Sequence, residues 1–170
     1  MTILETERLF LREITRADIP VYSGFFSDSE TMRFYPSTRT LQETEDFVER
    51  QLHRYATDGY GPWAMILKSD GALIGYCGLI HQVVDEIDEV EIGYLVCRRH
   101  WRRGFAGEAA VACRDFAWNK HRFKRVISLI DPDNIASIGV ALKVGMTLEK
   151  QSRWQWKLIN VYALSLPYHP

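Results

Sequence analysis

Three cysteines in 170 residues, Cys77, Cys97 and Cys113, are too few, too scattered and odd in number for a disulfide framework. No CxxC, no paired Cys/His ligand motif and no HExxH occurs, so no metal is expected. A dominant charge is lacking too: 21 Lys and Arg stand against 22 Asp and Glu, a formal net charge of -1. That balance argues against a global nucleic-acid footprint, although a local cluster can still focus potential over a cleft. Apolar runs fall short of the roughly 20 residues that span a bilayer. The opening MTILETERL carries acids where a signal peptide would need an apolar stretch. The expectation is a cytoplasmic protein with reduced thiols and neither membrane nor nucleic acid as partner. No low-complexity segment, linker or repeat interrupts the chain. With 46% hydrophobic residues it is read as one domain over 1–170.

What is present alternates between helical and strand periods. Leu4 to Arg12 reads as a first strand. Thr15 to Asp18 has capping-box spacing ahead of Ile19, Tyr22, Phe25 and Phe26, the apolar face of a short helix. A loop at Phe34-Tyr35-Pro36 follows. Thr40 and Glu43 open a second helix with Phe47, Val48, Gln51, Leu52 and Tyr55 on one side, ended by Gly59 and Gly61. Trp63–Lys68 and Leu73–His81, joined by SDG, read as a hairpin, and Glu89–Cys97 adds a strand after an acidic loop at Asp85–Asp88. From Phe105 to Trp118 the period changes, with Ala106, Ala110, Cys113 and Ala117 making a small-residue stripe that would let a helix lie close to a sheet. Val126–Ile130 is a short strand; DPDN begins a helix that Gly145 ends. Two strand-like runs lie around Trp154-Trp156 and Val161–Leu166. This order implies an α+β, or mixed α/β, fold.

The segment WRRGFAGEAA, Trp101 to Ala110, places arginines and bare backbone at the mouth of a helix. The first helical turn has no internal partner for its N–H groups, and aligned peptide dipoles add positive potential. Gly104 permits unusual backbone angles, while Ala106 and Gly107 leave the amides uncovered. Arg98, Arg99, Arg102 and Arg103 could add charge-assisted bonds, so the segment suits a phosphate or diphosphate. It is neither a P-loop nor GxGxxG. Packing against small residues explains the same letters equally well.

Taken together, several stretches resemble the GNAT N-acetyltransferases, within them the ribosomal-protein N-terminal acetyltransferases of the RimJ/RimL type. ETERLFLRE with TRAD and SDSETMRFYP is similar to that group's amino-terminal signature. EIGYLVCRRHWRRGFAGEAA is similar to its strand and acyl-CoA loop, and DPDNIASIGVALKVGM to the strand end and helix that follow. The resemblance covers nearly the whole chain. It implies a mostly antiparallel twisted sheet of about seven strands with a splayed central pair and flanking helices.

The resemblance also implies that acetyl-CoA donates the acyl group, its diphosphate held by the backbone of Arg103, Gly104, Phe105, Ala106 and Gly107, with Arg98 and Arg103 as preferred charged contacts. Trp101 departs from the Gln or Arg usual at the head of the loop. A main-chain N–H near Leu95 or Val96 would meet the thioester carbonyl. Asn134 would touch the pantetheine arm, with helix capping as its other role. Glu91 is the candidate base, acting through water, and Ser137 the candidate acid. The tyrosine that many relatives carry four residues before the final glycine is here Ala141. Phe34, Tyr35, Trp63 and Asp85 are the candidate acceptor residues, the aromatics being equally suited to a core. Asp85, Glu86, Asp88 and Glu89 could draw in a cationic amine or simply be solvated. Cys97 is read as structural. Trp154 and Trp156 are left between core, acceptor wall and dimer contact.

The implied reaction is direct acetyl transfer to a primary amine, without an acyl-enzyme. The acceptor is a protein N-terminus or a small molecule such as an amino acid, polyamine or antibiotic. A non-catalytic acyl-CoA-binding protein is the second reading. RNA binding through Arg98–Arg103 and Lys120–Arg125 is the third and poorest. The chain would act as a monomer or homodimer.

Overall fold

The computed structural model describes residues 1–155 and 157–165. In chain order the elements are β1 (Thr2–Glu5), β2 (Leu9–Glu13), α1 (Ile19–Ser27), α2 (Leu41–Thr57), β3 (Pro62–Leu67), β4 (Leu73–Val84), β5 (Ile87–Val96), α3 (Phe105–Asn119), β6 (Arg125–Ile130), α4 (Ile135–Val144), β7 (Thr147–Trp154) and β8 (Lys157–Ser165). The strands form one sheet in the order β1-β2-β3-β4-β5-β6-β8-β7. Among the described residues it has eight strands rather than about seven, because Leu4–Arg12 is a hairpin and not one strand. Thr6 makes the break: its N–H and hydroxyl both reach Leu9, closing a tight turn. Trp156 and Leu166, read as strand residues from the sequence, lie outside the described residues.

Local signals set the helix starts. Thr40 Oγ1 accepts the Glu43 N–H at 3.2 Å while Glu43 Oε2 accepts the Thr40 N–H at 2.7 Å, so two orphan donors are satisfied at once. At the first helix Asp18 accepts the Thr15 N–H at 2.8 Å and takes both Arg12 guanidinium nitrogens at 2.7 Å. The acidic loop expected at Asp85–Asp88 is shorter than its composition suggests. β4 runs to Val84 and β5 starts at Ile87, and only Asp85 and Glu86 turn, with φ of +50° and +65°. A two-residue turn with both φ positive suits the right-handed twist of a hairpin.

Alternation divides the core between the two faces of the sheet. Tyr76 and Leu95 point toward α1 and α2, packing with Tyr22, Phe26, Phe47 and Val48. Cys77, Ile92 and Val96 point toward α3 and α4. The small stripe of α3 lies flat there, with Ala110, Cys113 and Ala117 fully buried. Trp63 packs in this cluster, 5.2 Å from the Phe116 ring.

The sheet opens at one place. β5 pairs with β4 along its length, and β6 with β8 from Arg125 to Ile130. Between β5 and β6, the parallel neighbours, the ladder holds a single pair, Glu91 with Ile127. Past it the strands part, and β5 keeps a row of backbone groups without a strand partner.

Candidate active site

A cavity of about 1310 Å³ follows this gap and is walled from both sides of the sheet. The segment before α2 supplies Phe34, Tyr35 and Arg39; the α3/α4 side supplies Ala106, Asn134 and Ser137. Residues Glu91 to Val96 of β5 run between them. One compartment therefore reaches a helix N-terminus on one face and an aromatic, charged recess on the other.

The helix N-terminus is open. Gly104 caps α3 with φ +82°, and Arg102 before it has φ +58°. The first backward bond of the helix is Glu108 N–H to Gly104 C=O at 3.0 Å, leaving the amides of Phe105, Ala106 and Gly107 free of helical partners. A Cβ on Gly107 would come within 2.9 Å of Lys143 Cδ, so that glycine also lets α4 close in. Glu108 in this first turn would repel an anion, but its carboxylate faces away. Thr6 Oγ1, the Arg8 N–H and the Arg8 guanidinium hold it at 2.5 to 2.8 Å. Burial pushes that carboxyl up, and these bonds outweigh it and hold it below the usual range. Arg8 Nη1 also donates to the Arg103 C=O at 2.9 Å, and its guanidinium lies 4.5 Å from the Phe105 ring centroid. Arg8 thus clamps the loop from behind. Nothing in the motif points to it; only the folded β1–β2 hairpin brings it there.

Strand geometry decides between the two amides named on β5. Cys97 N–H donates to Ile74 C=O at 2.9 Å, toward β4, so by the two-residue repeat Leu95 N–H also faces β4. The Ile92 C=O accepts from Ser128 Oγ at 2.8 Å, across the β6 side, and Val96 shares its parity. Val96 therefore turns its N–H into the gap, and Leu95 contributes only wall. The Trp101 indole N–H donates to Val96 C=O at 2.6 Å, pinning the loop to the strand end. The unusual Trp thereby spends its polar atom on architecture.

Glu91 lies on the α2 side of β5 and lines the cavity. Burial raises its carboxyl above the ordinary value; bonds from Gln82 at 2.7 Å and from the Leu129 backbone, and the charge of Arg54, partly offset this. Tyr35 hydrogen-bonds Tyr76 hydroxyl to hydroxyl at 3.2 Å, both lining the same recess with Phe34. On the opposite face Asn134 caps α4, its Oδ1 accepting the Ser137 N–H at 3.1 Å. Both residues line the cavity. Tyr94 carries no motif signal, yet its hydroxyl donates to Ser137 C=O at 2.9 Å and borders the same space. It brings a phenol beside the α4 start although Ala141 supplies none.

Several candidate residues lie elsewhere. Trp63 is 2% exposed in the α3-side core, because β3 alternation turns it from the recess. Asp85 sits at the tip of the β4–β5 hairpin, paired with Lys150 at 2.7 Å and Ser152 at 2.5 Å. Asp88 meets His81, and Glu89 meets Arg125. Asp85, Asp88 and Glu89 are therefore paired toward the far end of the hairpin, and neither they nor Glu86 line the cavity. Arg98 contacts Asp28 at 3.5 Å, and the Arg103 guanidinium lies 5.1 Å from the Phe105 ring centroid. Neither lines the cavity, whereas Arg102 does. Cys97 is buried, and Trp154 both packs on the β8 cluster and lines the cavity. Among the described residues no His, Cys, Asp and Glu gather into a metal-holding group, and no helix is long and apolar enough to cross a membrane.

This geometry has relatives. A family model described as an acetyltransferase (GNAT) domain matches residues 8–147. Protein YkkB of Bacillus subtilis is 36% identical over 162 residues, covering 95% of this chain and 94% of its own. The crystal structure of an acetyltransferase from Agrobacterium tumefaciens, 31% identical, superposes with a TM-score of 0.83 over 98% of this chain and 94% of that one. RimL, a ribosomal L7/L12 α-N-protein acetyltransferase solved in complex with coenzyme A, is 16% identical with a TM-score of 0.76 over 98% of each chain, a likeness of fold. The matched segment contains the open helix end, the parted strands and Glu91 alike: the chain belongs to the GNAT acetyltransferases and is an acetyl-CoA-dependent N-acetyltransferase.

Proposed function

We propose that the chain moves the acetyl group directly to a primary amine, the α-amine at a peptide N-terminus being the first acceptor class to test. The parted β5–β6 pair is the observation that carries this reading, because it lets donor and acceptor enter from opposite faces and meet. Acetyl-CoA supplies the activated acetyl thioester. Its diphosphate suits the free amides of Phe105, Ala106 and Gly107, with Arg102 lining the adjoining wall. Asn134 borders the path between the loop and Ser137. Val96 N–H offers a fixed donor to negative charge developing on oxygen, which strengthens as the charge grows. Holding both partners in one cleft supplies much of the rate.

Glu91 accepts the amine proton through water. An α-amine, with a reference pKa near 7.7–8.0 against about 10.4 for lysine, needs less help from such a base. Ser137 is the proposed proton source for the departing thiolate, with the Tyr94 phenol holding its turn in place. A small-molecule amine meets the same chemical requirements. Thiol release from acetyl-CoA, measured with N-terminal peptides and small amines, tests the assignment. Turnover with a peptide N-terminus supports it, and acetyl-CoA binding without turnover on any amine contradicts it.

A further inference from the structure

The acceptor side of the cavity carries four arginines, Arg33, Arg39, Arg50 and Arg54, contributed by α2 and the segment before it. None pairs with a carboxylate among the described residues, whereas Arg12, Arg16, Arg98, Arg114 and Arg125 each do. The Arg39 guanidinium is held instead by ring faces, 4.4 Å from Phe26, 5.2 Å from Phe47 and 5.9 Å from Tyr35. Its Nη1 is buried without a hydrogen-bond partner. A buried donor left unmade is costly, so this position favours a visiting acceptor group. Burial and the charges of Arg39 and Arg54 hold the Arg50 guanidinium below its ordinary pKa, the mark of cations crowded together, with Asp46 opposing.

The acids in this wall are already engaged. Glu43 is occupied by the Thr40 N–H and hydroxyl, Asp46 by the Gln42 amide at 3.1 Å, and Glu91 by Gln82. Two further cavity-lining acids, Asp131 and Asp133, stand at the β6–α4 junction, where Asp131 is paired with Lys157 at 2.7 Å, and Asp85, Asp88 and Glu89 are paired away from the cavity. A cationic polyamine would enter against unpaired positive charge.

We infer that the acceptor amine carries a second, anionic group, a carboxylate in particular, and that Arg39 with Arg50 and Arg54 receives it while the amine reaches Glu91. The inference rests on the acetyl-transfer reading and names the substrate class of that site. Planar guanidinium forks are matched to carboxylates, and here the ring faces hold one fork ready. The arginines lie on the α1/α2 face and the α3 helix end on the other, so this cluster is separate from the diphosphate contacts.

Steady-state thiol release with matched acceptors tests the inference. The panel contains glutamine and its α-amide, which differ only in the α-carboxylate, a peptide amide with Glu at its second position, the same peptide with Gln or Lys there, and a polyamine. The amino-acid and peptide arms distinguish an α-carboxylate from a side-chain carboxylate. The expected result is a preference of at least about tenfold in kcat/KM for the anionic member of at least one pair, the pair identifying which carboxylate is received. Arg39→Gln and Arg50→Gln should each erase it through acceptor KM, with KM for acetyl-CoA unchanged. Glutarate should inhibit competitively against the acceptor but not against acetyl-CoA. Efficient turnover of neutral or cationic acceptors without that preference overturns the inference and leaves acetyl transfer standing. So does a rise in acetyl-CoA KM alone in the arginine variants. No turnover on any amine overturns both.

Discussion

Glu91 combines a carboxylate withdrawn from water with a bond to Gln82 that orients it. To serve as the proposed base it must be ionised, and burial moves its titration upward. The acidic limb of kcat/KM against pH should therefore lie above the ordinary glutamate value of about 4.3. Glu91→Gln should lower kcat/KM by about 10² and remove that limb, read by thiol release from pH 5 to 9. An unchanged profile would remove Glu91 from the chemistry. On the opposite wall Ser137→Ala should lower kcat with little change in acetyl-CoA KM. Tyr94→Phe should cost about 1 kcal/mol of stability in urea titration, the worth of one hydrogen bond to the Ser137 carbonyl. Sequence makes Glu91 and Ser137 visible through position in a pattern. It hides Tyr94, Arg8 and Arg39, whose partners are 43, 100 and up to 13 residues away along the chain, brought together only by folding.

Among elements, α1 and α3 depend on their first turns. At α1, burial raises the Asp18 carboxyl, but the Arg12 fork and the Thr15 donors outweigh it, and the net shift is downward. A carboxyl lowered on folding stabilises above its unfolded pKa, near 3.9, and loses that contribution as pH falls through the folded value. Asp18→Asn should cost about 2 kcal/mol at pH 7, and the gap to the parent should close below about pH 3.9 in chemical denaturation. At α3, Gly104→Ala puts a side chain at φ +82°, with its Cβ 3.3 Å from Arg8 Nη2. The expected cost is about 1 kcal/mol of stability and a fall of about tenfold in acetyl-CoA affinity by calorimetry, because the amides are re-aimed. The capping boxes at Thr15 and Thr40 and the small stripe of α3 were legible in the sequence, since each is a local pattern. The β1–β2 hairpin and the tight Asp85-Glu86 turn were not. A three-residue break looks like loose alternation, and acidic letters look like loop whether or not a strand continues through them.

At the scale of the molecule, the sheet has two covered faces and one fault line. The mixed order of elements and the splayed pair were expected, and the structure places the parting at β5 and β6. Side-chain aim across that fault was not readable. Arg98 and Arg103 precede the helix as Arg102 does, but the positive φ of Arg102 and the anchors at Asp28 and Phe105 send them different ways. Trp63 illustrates the same point: an aromatic beside a cleft and an aromatic in a core differ only by strand parity.

In the proposed reaction, donor amides left unpaired by the α3 end and by the parted β5 strand receive acetyl-CoA. Amide hydrogen exchange with and without saturating acetyl-CoA, resolved to single residues, measures those groups directly. Exchange is expected to slow at Phe105, Ala106, Gly107 and Val96, with Leu95 little changed because its N–H already faces β4. Saturation of the protein with acetyl-CoA while exchange at those four amides stays the same would contradict this placement.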